Sequence, residues 1–387
     1  MSTILIKNGT LIDGSGSKRY LADILIENEK IKKIGKLDLT ADKVIDASGK
    51  IVSPGFIDTH SHSDLKVLIE PFVEPKIRQG ITTEILGQDG ISMAPLPEEY
   101  VSSWRKNLAG LDGDSDELKW DWKNTDGYLN LISKTGSGPN ELYLVPHGNI
   151  RMEAMGLEAR VATKEELEKM KEITRREMEA GVAGLSTGLI YIPCAYAETE
   201  ELIEICKVAA EYGRPLVIHQ RSEADTMLES MQEVIRIAKE SGVKIHFSHF
   251  KICGQKNWKL IEPVIALLDK CKEEGINVSY DQYPYVAGST MLGVILPPWA
   301  HAGGTDKLIE RLKDKSLREK MKKDIIEGIP GWDNFIDFAG FDGIYVTSVK
   351  TDKNQDCIGK NLTEIAEMRG KEKFDAVFDL LMEEENA

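Results

Sequence analysis

No stretch of this 387-residue chain runs to about 18 unbroken apolar residues, so no helix is expected to cross a membrane. The first residues, Met1 to Asn8, lack the basic segment and long apolar run of a secretory signal. Cysteine is scarce: Cys194, Cys206, Cys253, Cys271 and Cys357 are scattered, and no C-x-x-C occurs. An odd count without framework spacing argues against a disulfide scaffold and for reduced thiols in a cytoplasm-like compartment. Net positive charge is also missing. The 49 basic and 64 acidic side chains leave a formal charge of −15, which repels phosphates. Neither nucleic acid nor an anionic membrane surface is therefore an expected partner. A small anionic molecule stays open, because one lysine or one metal ion can dominate a pocket.

What the chain does have is 41% apolar residues, with glycine and proline spread along its length, as in a folded globular protein. The length fits one large barrel of about 250 residues plus a smaller appendage. Residues 1–52 read as short strands with tight turns. Ile4–Lys7 meets Asn8-Gly9, a hairpin signal, and Thr10–Ile12 meets Asp13-Gly14; Ala22–Ile26, Ile31–Ile34 and Val44–Asp46 follow. These pieces are too short to bury a core alone. They predict part of a small β-sandwich-like domain.

From Pro54 the pattern changes, and between Thr163 and Tyr285 it becomes regular. Thr163 and Glu166 are spaced as a capping box. Leu167, Met170 and Ile173 then share a helix face, and Gly181 can take the left-handed stop before the strand-like run Val182–Leu189. The same helix–glycine–strand unit recurs around Gly213, Gly242 and Gly275, ahead of Pro215–Ile218, Val243–Phe247 and Ile276–Tyr280. Repeats of this kind predict a parallel sheet with crossover helices. Barrel and open sheet are equally compatible with it.

The ends of the strands carry the chemistry. Phe56-Ile57-Asp58-Thr59-His60-Ser61-His62 ends an apolar run with two histidines two apart, which on a strand point the same way. Alone, this H-x-H could be a pair of core or surface histidines. Leu216–His219 and Ile245–His249, however, also end predicted strands in histidine. Strand C-termini are where barrel enzymes keep their sites, and clustered neutral imidazoles suit a divalent metal. His246, three before His249, points the other way and reads as structural.

Five segments resemble the amidohydrolase superfamily, within it the N-acyl-D-amino-acid deacylase branch: Gly55–Asp64 (GFIDTHSHSD), Gly80–Pro95 (GITTEILGQDGISMAP), Gly184–Tyr191 (GLSTGLIY), Ser248–Trp258 (SHFKICGQKNW) and Asp281–Thr290 (DQYPYVAGST). The resemblance implies a (β/α)8-type TIM barrel over 53–387, with an insertion at roughly 291–350. It implies that His60, His62, His219 and His249 ligate one or two zinc ions. The branch often bridges its metals with a cysteine in a G-N-C-G turn; here the turn reads Gly87-Gln88-Asp89-Gly90, so Asp89 stands in the cysteine's place. A carboxylate bridges with harder oxygen donors, which makes zinc less exclusive. Cys253 is the alternative soft ligand.

By the same match Lys251, Tyr283 and Ser289 hold the carboxylate of an N-acyl amino acid. His147 either faces the pocket or keeps a structural hydrogen bond, and His301 is a loop histidine. Strand-like runs ending at His62, Asp89, His147, Leu189, His219, His249 and Tyr283 make seven, and Phe374–Glu385 reads as the helix ahead of an eighth. The resemblance therefore places the family's catalytic aspartate, at the end of the eighth strand, and its carboxylate-binding arginine beyond Ala387. Ile344–Val349, with Asp352 nearby, is a strand candidate for that role. A barrel lacking its final strand is expected to self-associate or to take up a complementing segment. The expected activity is hydrolysis of N-acyl-D-amino acids. Alternatives are a metal-binding remnant without activity, a hydrolase of D-amino-acid peptides, or a cyclic-amide hydrolase. The last typically bridges its metals with a carboxylated lysine on the fourth strand, and Val182–Tyr191 contains no lysine.

Overall fold

A computed structural model describes residues 2–386. Contacts divide the chain into two compact units, one reaching to Ile57 and including Gln79–Thr82, the other formed by Asp58–Arg78 and Thr83 onward.

The first unit contains a sheet of β1 (Thr3–Leu11), β2 (Tyr20–Glu27), β3 (Lys30–Gly35), β4 (Lys43–Asp46) and β5 (Ile51–Val52). Its order is β3-β2-β1-β4, with β5 also pairing β1. Asn8-Gly9 does not turn the chain. β1 runs through it with a register shift between Ile6 and Gly9, because Asn8 takes a left-handed φ of 63° inside a continuous strand. The tight hairpin lies instead at Asn28-Glu29, where φ values of 50° and 66° supply the positive pair that a two-residue loop requires.

A second sheet comprises β6 (Phe56–Asp58), β7 (Ile81–Leu86), β8 (Asn140–Pro146), β9 (Gly184–Gly188), β10 (Leu216–His219), β11 (Ile245–Phe247) and β12 (Val278–Tyr280). Its order is β12-β11-β10-β9-β8-β7-β6, and the pairings from β7 to β12 are parallel. The order follows the chain without reversal. That is the winding of a (β/α) barrel and not of a doubly wound sheet, whose order reverses at a switch point. Every residue of β9 and β10 is buried, as expected for parallel strands covered on both faces.

The crossover helices follow their sequence signals. Lys164–Glu179 opens on the capping box, with Glu166 N–H donating to Thr163 Oγ1 at 3.2 Å and Thr163 N–H donating to Glu166 Oε2 at 2.8 Å. Thr199–Glu211, Met227–Ser241 and Ile261–Glu273 complete the series. Beyond β12 the chain is helical, and residues from Ile295 to Leu381 build a second core. The expected insertion at 291–350 thus shares its core with the helices Leu362–Arg369 and Lys373–Glu383 that follow it. Ile344–Val349 is not a strand; only Tyr345 forms a bridge, to Asn361, and Asp352 opens the short turn Asp352–Cys357. No helix among the described residues is long and apolar enough to cross a membrane.

Candidate metal centre

Four imidazoles and one carboxylate converge beyond the C-terminal ends of β6, β7, β10 and β11. Asp89 sits at their middle, 2% exposed, in the turn after β7. The turn is fixed by close packing. A Cβ on Gly87 would lie 2.1 Å from Leu144 O, and one on Gly188 would lie 2.3 Å from Asp89 O. Only glycine fits at either place, so the backbone of Asp89 rests directly on β9. Gln88 ties the same turn to the H-x-H loop by donating to Thr59 O at 3.0 Å. Asp89 and His249 both hold positive φ, 56° and 35°. Such backbone costs a non-glycine residue of order 1–3 kcal/mol and persists only where its surroundings over-determine it.

The two oxygens of Asp89 face different histidine pairs. Oδ2 lies 3.4 Å from His60 Nε2 and 3.3 Å from His62 Nε2. Oδ1 lies 3.6 Å from His249 Nε2 and 4.0 Å from His219 Nδ1. Oδ1 is buried with no hydrogen-bond partner among the described residues. Within each of the sets His60–His62–Asp89 and Asp89–His219–His249, one ligand atom per residue lies within 4.8 Å of the others. An orphaned carboxylate oxygen facing two imidazole nitrogens fits a divalent cation with mixed nitrogen and oxygen donors.

Burial alone would lower His60, His62 and His249, but the carboxylates around them raise all three above the ordinary imidazole range, and a bound ion would displace the protons they carry. Burial alone would raise the Asp89 carboxyl, but the charge of His60 and the imidazoles of His249, His60 and His62 around it hold it well below the usual range. Burial pushes His219 down to about 3, which keeps it neutral and able to ligate.

Three further carboxylates hold these imidazoles from outside, and none was assigned a role from the sequence. Asp112 Oδ1 is 3.0 Å from His62 Nδ1. Glu223 Oε1 is 3.0 Å from His249 Nδ1. Asp281, just past β12, accepts the His249 backbone N–H at 2.6 Å, lies 3.0 Å from His246 Nε2 and stands 3.6 Å from His60 Nδ1. Asp112 is fifty residues from its histidine in a loop without periodicity, and nothing local marks it. Glu223 follows His219 by four, and Asp281 opens the DQYPY segment. Proximity to a candidate site residue, His219 for the first and Tyr283 for the second, was the one signal available for those two. His62, Asp64 and Asp112 form a third cluster of potential ligands. It shares His62, however, whose Nδ1 must carry a proton toward Asp112 if Nε2 is to bind a cation.

The H-x-H motif acts differently from its sequence reading. β6 ends at Asp58, so His60 and His62 lie in the loop beyond the strand, and the loop rather than strand alternation brings both to Asp89. Lys251 is not a free cation: its Nζ is 2.6 Å from Glu223 Oε2 and lies 5.6 Å from the Tyr283 ring centroid. Ser289 is exposed. Cys253 stays outside the cluster, with its sulfur 3.9 Å from Glu223 Oε2. His147 is fully buried and structural, between Thr187 Oγ1 at 2.9 Å and Glu201 Oε1 at 2.8 Å. His301 contacts Gly293 O at 3.0 Å.

Comparison with known proteins gives the same picture. The profile described as Amidohydrolase family matches residues 43–266, more than half of the chain. A D-aminoacylase from Alcaligenes xylosoxydans xylosoxydans is 36% identical over 290 residues, covering 75% of this chain and 58% of that protein. The chain thus spans a little over half the length of this relative. The crystal structure of N-acyl-D-glutamate deacylase from Bordetella bronchiseptica, complexed with zinc and a phosphonate inhibitor, superposes with a TM-score of 0.79 at 31% identity. It covers 97% of this chain and 69% of that one. A D-aminoacylase crystal structure gives 0.76 at 30% identity over the same shares.

Proposed function

Because the chain belongs to the amidohydrolase family, we propose that it is a cytoplasmic, metal-dependent hydrolase of N-acyl-D-amino acids. His60, His62, Asp89, His219 and His249 would hold one or two zinc ions. The observation that carries this reading is the division of Asp89, each oxygen turned to its own pair of imidazoles. When bound, such a cation acidifies water toward neutrality and polarises an amide carbonyl.

The chain's own residues do the rest. Lys251, with Tyr283 beside it and Ser289 on the loop that follows, takes the substrate carboxylate. A small cleft of mixed lining, with Ile190, Tyr191, Met291 and Trp332 beside Asn107 and Asp333, takes an apolar part of the substrate. The Tyr191 ring packs edge-on to His219 at 5.4 Å, so the cleft borders the centre. The leaving nitrogen also needs a proton. Asp112, Glu223 and Asp281 are each already committed to other donors, so none of them is assigned as that acid.

That commitment favours a second reading, a metal-binding protein with little turnover of its own. β6 and β12 end the sheet order among the described residues, and each would offer its edge to a strand from another copy or a separate segment. Elemental analysis of protein prepared without chelator, together with release of free amine from N-acetyl-D-amino acids and their L counterparts, separates the readings. Metal with D-selective release supports hydrolysis, and metal without release supports the second reading. Protein that neither carries nor takes up zinc would sink both.

A further inference from the structure

Glu223 is 4% exposed and lies where two donors meet. Its Oε1 is 3.0 Å from His249 Nδ1, and its Oε2 is 2.6 Å from Lys251 Nζ. Lys251 Nζ is itself only 3.0 Å from His249 Nδ1. The three side chains form a closed triangle. The backbone that carries it is held on both sides: Glu223 N–H donates to Asp333 Oδ2 at 2.7 Å, Ser222 Oγ donates to Asp333 Oδ1 at 2.6 Å, and Glu223 O accepts Cys253 N–H at 2.7 Å.

A neutral imidazole carries one N–H, and the partner of one nitrogen decides where it sits. Beside Lys251 alone, His249 Nδ1 would accept from the ammonium, and the proton would sit on Nε2. That nitrogen faces Asp89 Oδ1 and His219 Nδ1, and a protonated Nε2 has no lone pair for a cation. Glu223 reverses the assignment, because it accepts from both neighbours.

We propose that Glu223 is a positioning residue that keeps the His249 proton on Nδ1, against the adjacent Lys251, and so leaves Nε2 free to ligate. The proposal rests on the metal-centre reading above. It makes Lys251 harmful to the centre whenever Glu223 is absent. His62 offers the internal contrast: Asp112 holds its Nδ1, and no lysine lies within hydrogen-bond reach of it among the described residues. Loss of Asp112 therefore weakens a ligand with no neighbouring ammonium whose removal could restore it.

The test has two readouts on the full chain. In the first, zinc affinity is measured by competition against a chromophoric chelator for the wild type, Glu223→Ala, Lys251→Met and the double variant. Glu223→Ala should weaken the tighter equivalent by about 10–100-fold, the usual size for loss of such a partner. Adding Lys251→Met should recover most of that loss. A merely structural role predicts no recovery. In the second, nitrogen NMR of the His249 ring is recorded on cation-free protein at alkaline pH, with the imidazole neutral. Wild type should show the proton on Nδ1 and Glu223→Ala should show it on Nε2. If Glu223→Ala does not fold, Glu223→Leu, which keeps the bulk and removes the acceptor, is compared with and without Lys251→Met in its place, with the same signs expected. An unchanged tautomer, or a double variant as weak as the single one, overturns the proposal. Wild-type protein that takes up no zinc but shows the expected tautomers would overturn the metal reading alone.

Discussion

His219 Nδ1 and His249 Nε2 stand 2.8 Å apart, with ring planes at 79° to each other and centroids 4.5 Å apart. Two imidazole nitrogens aimed at one point need something positive between them, either a proton or a cation. Burial keeps His219 neutral, and Asp89 Oδ1 faces the same point without a partner. A proton on His249 Nε2 joins the two nitrogens as a hydrogen bond, and a divalent ion in its place would take up Asp89 Oδ1 as well.

Zinc should therefore stabilise the protein, and removing it with a chelator should reverse the gain. Binding to the folded state alone contributes about 2.7 kcal/mol when free ligand is a hundredfold above Kd. Thermal unfolding across a zinc titration measures this. The Asp89→Asn variant should lose most of the response, because both histidine pairs share that carboxylate. A full response in Asp89→Asn would show that zinc binds elsewhere.

The two histidine pairs should respond separately to their outer carboxylates. Asp112→Asn removes the charge on His62 Nδ1 and should weaken the His60–His62 position by roughly 10–100-fold. The Asp89–His219–His249 position should keep its affinity. Cobalt(II) titration followed by visible absorption resolves the two if their spectra differ. Equal loss at both positions would mean that Asp112 holds the fold rather than one ligand.

How much of this was legible in the sequence depended on distance along the chain. The helix–glycine–strand units between Thr163 and Tyr280 were readable because capping, periodicity and left-handed stops are local. The convergence of His219, His249 and Asp89 was readable because parallel strands put their C-terminal ends together. Asn8-Gly9 misled because a turn dipeptide also fits a strand irregularity, and nothing nearby distinguishes the two. Ile344–Val349 has strand composition but no neighbour to pair with beyond the bridge at Tyr345, so composition alone did not suffice. Asp112 and Glu223 were invisible because their meaning lies in which imidazole nitrogen they touch, and spacing does not encode that.

Lys251 should act on substrate affinity more than on the chemical step, since an ammonium is a point charge that attracts a carboxylate without fixing its plane. Its pairing with Glu223 means the substrate must share it with a resident anion. Where turnover is measurable, Lys251→Ala should raise KM for N-acyl amino acids more than for the matching amides, which lack the carboxylate. Parallel kinetics on the two series give the comparison. Equal effects on both would assign Lys251 to the triangle with His249 and not to substrate.

Stability should fall on the alkaline side through His147, which takes no part in the centre. The imidazole is fully buried between Thr187 and Glu201. Burial by itself lowers its pKa, but Cys194 and Glu201 outweigh burial and raise it from 6.5 to about 9. A group whose folded pKa lies above its unfolded one stabilises the fold fully below the unfolded value and loses that contribution as pH rises through the folded value. The window is therefore from about 6.5 to about 9. Thermal midpoints measured across it should decline in the wild type. In His147→Gln the amide can still reach Glu201 but does not titrate, so its midpoint should start lower and the decline should flatten. A wild-type midpoint flat across this range would mean that His147 is neutral in the fold, with Glu201 held by Arg151 alone, whose guanidinium donates to the other oxygen of the same carboxylate.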